Sequence, residues 1–372
     1  MKKIAVLGTG YVGLVSGTCF AEIGHHVTCC DINEAKIRSL QNGVIPIYEP
    51  GLEELAEKNV SAGRLSFTAG IEPAVKAADI IYIAVGTPMS KTGEADLTYI
   101  KAAAQTIGEQ LNGYKIIVTK STVPVGTGKL VYQIVSEASK GKYPFDVASN
   151  PEFLREGSAV RDTMQMERAV IGATSEHAAS VIEELHKPFR TKIVKTNLES
   201  AEMIKYAANA FLAAKISFIN DIANICERVG ADISHVSEGV GLDSRIGNKF
   251  LQAGIGFGGS CFPKDTTALL HIANAAGYPF QMMEAVIETN QKQRVRITEK
   301  LNRAIGRTGQ NRWPEVKEMD LHRVKQADSK QPVIIDGRNM FPLEYMRISG
   351  FTYHSVGRPA VHADRQIKEL AR

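Results

Sequence analysis

The chain has 372 residues, of which 44% are hydrophobic and 23% charged, and its formal net charge is +4. This length predicts two or three domains, and a weak positive charge without a basic tract argues against nucleic-acid binding. The chain has no apolar run near the roughly 20 residues of a membrane helix, and its five scattered cysteines predict reduced thiols, no metal site and a cytoplasmic location.

The first predicted element is a strand that leads into a glycine-rich turn. KIAVLG (3–8) has the pattern of a buried parallel strand, and Gly8, Gly10 and Gly13 follow in GxGxxG spacing before a helical stretch. The next strand, HVTCC, ends at Asp31. Such glycines let a pyrophosphate approach a helix N-terminus, and an acid at this position accepts a ribose hydroxyl but repels a 2′-phosphate. The pattern predicts an NAD site; the alternative is a glycine turn without a ligand.

Further apolar stretches alternate with helical ones and predict a doubly wound parallel sheet; they lie at 79–88, 115–126 and 146–157. Polar residues stand where these strands end, and they are Thr87-Pro88, Ser121-Thr122 and Asn150-Pro151-Glu152. Ligands of such sheets bind at the carboxyl ends of strands, although each group alone could be turn chemistry. Glu152 and Glu156 are spaced to share a helical face, or to form its solvated first turn.

A long helix is predicted over 201–230, ending at the C-cap Gly230. Lys205 and Asn209 are one turn apart on it and therefore share a face. The lysine could extend to the surface. Alternatively, both side chains could donate hydrogen bonds to a developing oxyanion.

A glycine-rich loop, GIGFGGSCFPKD (254–265), contains Cys261. A free cysteine is often a small buried hydrophobe. If the following helix begins here, its N-terminus and Lys264 would instead favour the reactive thiolate. Asp265, before two threonines, is interpreted as a helix N-cap or as a catalytic group.

Long segments of the chain resemble the UDP-glucose/GDP-mannose dehydrogenase family, over about residues 1–305. They are IAVLGTGYVGLVSGTCFAEIGHHVTCCD, VGTP, KSTVPVGTG, SNPEFLREGSAV, SAEMIKYAANAFLAAKISFINDIA and SRIGNKFLQAGIGFGGSCFPKD. The resemblance implies an α/β fold with a Rossmann-type NAD-binding domain (1–196), a central helical domain with the long linking helix (197–305) and a shortened C-terminal α/β domain (306–372). It implies oxidation of the C6 alcohol of a nucleotide sugar to a carboxylate with two NAD, UDP-glucose as the favoured substrate, and a homodimer.

The resemblance also assigns catalytic roles. Cys261 would add to the aldehyde made by the first oxidation, the thiohemiacetal would be oxidised to a thioester, and water would release the acid. Lys205 and Asn209 would stabilise the oxyanion. Water positioning and proton transfer would fall to three further residues, which are Asp265, Thr122 and Glu152.

Binding residues follow from the same resemblance. Those expected to contact NAD are Gly8, Gly10, Tyr11, Val12, Gly13, Asp31, Lys36, Thr87, Pro88, Ser121, Thr122, Glu156 and Lys264. Those expected to contact substrate are Glu152, Phe153, Leu154, Arg155, Glu156, Lys205, Asn209, Arg245, Phe250, Leu251, Gln252, Ala253, Gly254 and Gly258. Among the latter, Arg245 would reach across the dimer interface.

The sequence departs from the family after LNRAIG (301–306), where the first half of the third domain is missing. The family pattern resumes in WPEVKEMDL, QPVIIDGRNMF and GFTYHSVGRP, and HADRQIKEL (362–370) is predicted as a short solvated helix. A remnant of one or two strands would hardly bury a core alone. The domain could be rebuilt, the tail could pack on other domains, or nucleotide affinity could be reduced.

Three other functions stay open at this point. One is a related enzyme for UDP-N-acetylmannosamine or GDP-mannose, and another is a hydroxyacid dehydrogenase of the 6-phosphogluconate type. Cys261 argues against the latter, because a single oxidation needs no thiol. The third is an NAD-binding protein whose catalysis is impaired by the deletion.

Overall fold

The computed structural model describes residues 1–90, 92–305 and 333–362. The chain divides into two units, Met1–Ala208 and Asn209–Arg372, and the three-domain division expected from the sequence stays a prediction. None of the helices in the described ranges is long and apolar enough to cross a membrane.

The first unit is built on an eight-stranded sheet. Its strands are β1 (Lys3–Leu7), β2 (His26–Cys30), β3 (Leu65–Thr68), β4 (Ile80–Ile83), β5 (Lys115–Thr119), β6 (Phe145–Ser149), β7 (Arg168–Ala173) and β8 (Lys192–Thr196). They lie in the order β3-β2-β1-β4-β5-β6-β7-β8, and all neighbours are parallel except β6 and β7. The first six follow the doubly wound order of dinucleotide-binding folds, so the predicted fold class is confirmed.

Helices connect these strands and cover the sheet. They are α1 (Tyr11–Glu22), α2 (Glu34–Gln41), α3 (Leu52–Ser61), α4 (Ile71–Ala77), α5 (Thr98–Gln110), α6 (Thr127–Ser139), α7 (Ala159–Met164) and α8 (Glu176–His186), with a 3₁₀ turn at Lys187–Phe189. Side chains alternate across a strand. Ile80 and Tyr82 therefore join the core cluster on one face of the sheet, while Ile81 and Ile83 join the cluster on the other.

The sequence analysis found five of these strands and did not identify β3, β7 or β8. β3 has four residues, and none of the side chains of β8 is buried, whereas β7, with six residues, is the longest strand of the sheet and was missed for no such reason. Their membership in the sheet depends on hydrogen bonds to neighbours, for example the parallel pairing of β8 with β7.

The long helix α9 spans Leu198–Val229. Gly230 follows it with φ +77°, so the predicted glycine end is confirmed. The second unit also contains α10 (Ile233–Gly241), α11 (Phe262–Ala275), α12 (Gln281–Ile305), β9 (Val333–Asp336), α13 (Leu343–Ser349) and β10 (Thr352–Ser355). Its helical core joins α9 and α10 through Ile219, Ala223 and Ile233.

The described part of the tail forms two parallel strands, β9 and β10, with a small core around Phe351 and Tyr353. It also packs on the helices of its own unit. Val356 joins the α9–α10 core. The Gly357 N–H donates to Glu227 Oε1 at 2.7 Å, and a Cβ at Gly357 would lie 2.6 Å from Ala223 Cβ. Of the three alternatives for the tail, packing on another part of the chain is therefore observed. The segments 313–321 and 363–370 lie outside the described residues.

Candidate active site

The glycines of the GxGxxG turn have different roles: two are required by the fold, and one leaves space for a ligand. Gly8 has φ +102°, and a Cβ there would lie 2.6 Å from the Ala84 carbonyl oxygen; a Cβ at Gly13 would lie 1.9 Å from the Gly8 oxygen. Both glycines are thus required by the turn and by close helix–strand packing. A Cβ at Gly10 would meet nothing within 4 Å. Gly10 caps α1 without a side-chain hydrogen bond, so backbone N–H groups at this helix end can receive a phosphate.

Asp31, at the end of β2, lies beside this turn. Its Oδ2 accepts hydrogen bonds from Thr9 N at 3.0 Å, Thr9 Oγ1 at 2.7 Å and Lys36 Nζ at 3.2 Å. Burial by itself would raise the pKa of Asp31, but the hydrogen bonds from Thr9 and Asn33 and the charge of Lys36 outweigh it and lower the pKa. The carboxylate therefore stays ionised and can accept from a ribose hydroxyl. The turn and this acid fit an NAD molecule.

The ends of β4 and β5 are joined by side-chain hydrogen bonds. Thr87 Oγ1 donates to the Thr122 carbonyl at 2.9 Å, and Ser121 Oγ donates to the Val85 carbonyl at 2.6 Å. Two of the three predicted polar strand ends, those after β4 and β5, therefore meet at one edge of the sheet, and Pro88 follows Thr87 directly. Glu202 on α9 holds the next loop by accepting from Gly126 N and Gly128 N, each at 2.7 Å.

Lys205 forms a buried ion pair with Glu152. The distance from Lys205 Nζ to Glu152 Oε1 is 3.0 Å, and the two side chains are 4% and 7% exposed. The alternative that Lys205 extends to the surface is therefore wrong. A second buried lysine, Lys120, donates to Asn150 Oδ1 at 3.0 Å; burial lowers its pKa to about 8, although the charge of Glu152 acts in the opposite direction. Sequence reasoning missed Lys120.

The segment around 152–157 is not helical, because α7 begins only at Ala159. The expected helical face shared by Glu152 and Glu156 is therefore wrong. Glu152 Oε2 instead accepts from the Leu154 N–H, and the Arg168 guanidinium lies 3.9 Å from the centre of the Phe153 ring. Arg155 Nε donates to Asp162 at 2.9 Å.

Glu49 fixes this coil, and sequence reasoning missed it. Its carboxylate accepts from the Tyr11 hydroxyl at 2.6 Å, from Gly157 N at 2.9 Å and from Ala159 N. The Tyr11 hydroxyl also donates to the Arg155 carbonyl at 2.9 Å. The expected cofactor turn and the expected substrate segment are thereby tied together. Only the acid in PIYEPGL, next to a turn proline, could have drawn attention to it in the sequence.

In the second unit, Asp265 is the centre of a buried cluster. Asn209 Nδ2 donates to its Oδ2 at 2.6 Å, and Lys264 Nζ lies 2.8 Å from its Oδ1; Asp265 is 1% exposed. The helix α11 begins at Phe262 with Cys261 at the N-cap. The N-cap interpretation of Asp265 is therefore wrong, because this residue lies in the first turn.

Cys261 is exposed, whereas the other four cysteines are buried, and none of the five forms a disulfide. Its place at the start of a 14-residue helix is one that favours a thiolate. Within the described ranges, no group of His, Cys, Asp or Glu side chains could hold a metal ion.

The expected substrate stretch 250–254 runs from an aromatic contact into the helical core. Phe250 has φ +66°, and its ring packs against Phe262 at 6.2 Å. Leu251 and Ala253 are buried in the core cluster. Gln252 is exposed, and its Nε2 donates to the Asn248 carbonyl at 3.3 Å.

Two features at the end of this stretch were not foreseen. Gly254 N donates to Asn220 Oδ1 at 2.8 Å, and a Cβ at Gly254 would lie 2.9 Å from the Gly337 carbonyl of the tail. The exposed Arg338 follows Gly337.

Arg245, expected at a dimer interface, is 87% exposed and pairs with Asp243 at 2.6 Å.

Side chains of α12 anchor the glycine loop. Asn290 bonds both backbone groups of Phe257, and Arg294 Nη2 donates to the Phe257 carbonyl at 2.8 Å. A Cβ at Gly258 would lie 3.2 Å from Arg294 Nη2. Sequence reasoning missed both α12 residues; their spacing on one helix face was the available signal.

Known proteins resemble the chain over nearly its whole length. Residues 2–190 match the NAD binding domain of the UDP-glucose/GDP-mannose dehydrogenase family, and residues 199–292 match its central domain. The UDP-glucose 6-dehydrogenase TuaD of Bacillus subtilis is 63% identical over 435 aligned positions, covering 97% of this chain and 94% of that protein. That alignment is longer than this chain, so part of TuaD has no counterpart here. The UDP-glucose 6-dehydrogenase YwqF of the same organism is 53% identical, covering 82% of this chain and 70% of the relative.

Solved structures agree with this similarity. A UDP-glucose dehydrogenase from the archaeon Pyrobaculum islandicum superposes with a TM-score of 0.80 at 38% identity, covering 95% of this chain and 81% of that one. A GDP-mannose dehydrogenase from Pseudomonas aeruginosa gives a TM-score of 0.65 at 30% identity, covering 95% and 80%.

Proposed function

Because the chain belongs to the UDP-glucose/GDP-mannose dehydrogenase family, we propose that it catalyses the NAD-dependent oxidation of UDP-glucose to UDP-glucuronate. The identity to UDP-glucose 6-dehydrogenases supports the substrate. The observation that carries the proposal is the exposed Cys261 at the start of α11, with Lys264 and Asp265 in the first turn of that helix and Asn209 of α9 bonded to Asp265. A dehydrogenase that stopped at the aldehyde would not need this thiol.

The chemistry of Cys261 follows from its position. NAD, when bound, accepts the hydride of each two-electron oxidation. The thiolate forms a C–S bond to the C6 aldehyde, and the carbonyl electron pair moves to oxygen, which takes up a proton to give a thiohemiacetal. After oxidation of this adduct to the thioester, water attacks the carbonyl carbon. The C–S bond then breaks, releasing the carboxylate and the thiol.

The oxyanion formed on C6 needs donors, and we assign Lys205 and Asn209 to it. They are one turn apart on α9 and are therefore neighbours on one helix face. Each is buried and already fixed by a carboxylate, Glu152 for Lys205 and Asp265 for Asn209. Donors held in place in this way need no reorganisation when charge develops. Glu152, Asp265 and Thr122 transfer protons and position water.

The cofactor site comprises the turn at the start of α1 and the joined ends of β4 and β5. Gly10 leaves open space for the pyrophosphate, and Asp31 with Lys36 holds the adenosine ribose. The remaining residues assigned to NAD are Gly8, Tyr11, Val12, Gly13, Thr87, Pro88, Ser121, Thr122, Glu156 and Lys264.

The residues assigned to the sugar nucleotide lie in the coil at 152–156, in the stretch 250–258, on α9 and at Arg245. They are Glu152, Phe153, Leu154, Arg155, Glu156, Lys205, Asn209, Arg245, Phe250, Leu251, Gln252, Ala253, Gly254 and Gly258. The exposed Arg338 follows the glycine that touches Gly254, and it adds a cation for the diphosphate.

We assign the active form to a homodimer in the cytoplasm. Phe211, Phe218 and Ile225 are seven residues apart on α9 and are 67%, 57% and 52% exposed. Large apolar side chains exposed along one helix face are typical of an interface. A monomer at micromolar concentration in sedimentation velocity would contradict the dimer.

The assignment to the cytoplasm is supported by the cysteines. Five cysteines without a disulfide agree with a reducing compartment.

A second function is kept because of one observation. TuaD contains a stretch that this chain lacks, and in this second function the nucleotide site is incomplete. The chain would then bind NAD through its first unit without turning over.

The test measures NADH formed from limiting UDP-glucose with excess NAD. The wild type is expected to give two NADH per sugar, and Cys261→Ser to lose this yield; Cys19→Ala, which removes a buried thiol, is the control. GDP-mannose and UDP-N-acetylmannosamine are run in parallel to test the related specificities. A folded protein that binds NAD but makes no NADH would favour the second function.

A further inference from the structure

We infer that Asn290, on α12, is a positioning residue for the Cys261 nucleophile. This inference rests on the proposed function for the role of the cysteine. Asn290 is buried, and its side chain bonds both polar groups of one loop residue: Oδ1 accepts from Phe257 N at 2.7 Å, and Nδ2 donates to the Phe257 carbonyl at 3.0 Å. An amide paired in this way binds the peptide groups on both sides of Phe257 and fixes the backbone of that residue in position and orientation.

The glycines of the loop admit this contact. Gly256 has φ +101°, which L side chains rarely adopt, and a Cβ there would lie 2.4 Å from Asn290 Oδ1. A glycine is therefore required at position 256 for two reasons: the backbone is left-handed there, and the Asn290 side chain approaches it closely. For this glycine of the loop, the contact with Asn290 of α12 is a sufficient explanation, and no ligand is needed to account for it.

The position of Phe257 is transmitted to Cys261 through packing. The Phe257 ring meets the Phe262 ring edge-on, with ring centres 6.0 Å apart. Phe262 is the first residue of α11 and directly follows Cys261. Interiors are close-packed, so a displaced Phe257 displaces the start of this helix.

A second amide of α12 holds the beginning of the same loop. Gln293 Nε2 donates to the Gly254 carbonyl at 2.8 Å, and its Oε1 accepts from Asn224 of α9 at 2.9 Å. Both amides are buried. The loop is thus fixed at Gly254 and Phe257 before it reaches the cysteine, which keeps a glycine-rich backbone in one conformation despite its large conformational entropy.

The expected effect is on the chemical step. A reacting group displaced by about 1 Å can lose roughly 100-fold in rate. Asn290→Ala should therefore lower kcat for NADH formation by roughly 10- to 100-fold, with a smaller rise in KM for UDP-glucose through the neighbouring Gly258, while KM for NAD stays near the wild-type value. Asn290→Asp keeps the acceptor for Phe257 N, and Arg294 still donates to the carbonyl; this variant should recover part of the rate.

A second readout does not depend on turnover. Alkylation of Cys261 by iodoacetamide is followed against pH by mass spectrometry of the modified peptide. In Asn290→Ala the pH midpoint of alkylation should differ from the wild-type midpoint, because the displaced thiol has different surroundings. Gln291→Ala changes an exposed neighbouring amide and should match the wild type. Met283→Ala opens a cavity under the same helix and should lower stability without moving the midpoint.

The outcomes separate this inference from the proposed function. If the wild type does not oxidise UDP-glucose, the proposed function fails, and the alkylation profile still tests Asn290. A folded Asn290→Ala protein with wild-type alkylation and kcat would overturn the inference. It would also be overturned if Met283→Ala produced the same changes at equal loss of stability, because Asn290 would then be merely structural.

Discussion

Lys205 Nζ lies 3.0 Å from Glu152 Oε1, and both side chains are almost fully buried. The lysine is on α9 and the glutamate follows β6. The pair therefore joins the helix to the edge of the sheet at which the expected active-site residues lie. Removing one partner of a buried ion pair leaves the other charge buried without compensation.

Replacing Lys205 by Met should lower both stability and activity. It leaves Glu152 without its partner, which should reduce the free energy of unfolding by about 3–5 kcal/mol. Loss of an oxyanion donor should lower kcat by about 100- to 1,000-fold. Urea unfolding and NADH formation measure the two effects.

A double variant separates these effects. Lys205→Met with Glu152→Gln removes both charges and should regain part of the stability but none of the activity. Lys129→Met removes an exposed ion pair with Glu199 and should leave the free energy of unfolding near the wild-type value. An active double variant would contradict the role assigned to Lys205.

Replacing Asp31 by Asn should weaken NAD binding and narrow the preference for NAD over NADP. The carboxylate accepts from the ribose hydroxyl and repels a 2′-phosphate, and loss of such a charged hydrogen bond is worth about 1.5–3 kcal/mol. Calorimetric titration with each dinucleotide measures the change. Glu34→Gln, which removes a nearby exposed charge, is the control and should bind like the wild type.

The glycines of the cofactor turn should respond differently to alanine. Gly13→Ala places a Cβ 1.9 Å from the Gly8 carbonyl oxygen and should prevent the first unit from folding normally. Gly10→Ala meets no protein atom within 4 Å, so it should fold and lose NAD affinity through contact with the pyrophosphate. Thermal melting and NAD titration distinguish the two variants. Unchanged NAD binding in Gly10→Ala would contradict the assigned phosphate position.

His186 should make the first unit less stable in acid. It is fully buried beside Phe20 and Phe189, and burial lowers its pKa to about 3. The unfolded chain therefore binds a proton below about pH 6.5 that the folded chain excludes. The contribution of the neutral His186 to the free energy of unfolding is complete above pH 6.5. It is lost at about 1.4 kcal/mol per pH unit as the pH falls toward the folded pKa.

The measurement is urea unfolding at pH 7.5, 6 and 5. His186→Leu should show a shallower loss of stability than the wild type across this range. His235→Gln, at an exposed position, should show the wild-type slope. Equal slopes for the wild type and His186→Leu would mean that His186 takes up a proton in the folded state.

Features encoded by neighbouring residues were predicted well. The strand–GxGxxG–helix turn, the acid at the end of β2 and the glycine after α9 all follow from local periodicity and from backbone angles that only glycine adopts easily. The three polar groups after β4, β5 and β6 were also found, because parallel strands present their ends at one edge. The resemblance identified the family because these motifs occur together.

Features that depend on pairing between distant residues were not predicted correctly. Asp265 looked like a helix cap, yet it accepts from Asn209, 56 residues earlier. Glu152 looked like a helical acid, yet it pairs with Lys205. Glu49 and Asn290 lie outside every quoted motif, and Lys120 begins KSTVPVGTG but was assigned no role.

The sequence by itself therefore determined the fold class, the glycine turn after β1 and the place of Cys261 in a glycine-rich loop, because short-range spacing and glycine geometry define them. Only the tertiary structure decided which carboxylate holds which donor, and that Gly256 faces Asn290. It also decided that the shortened tail rests on α9 and α10 through Val356 and Gly357. Such contacts arise from packing between elements far apart in the chain, and no local pattern specifies them.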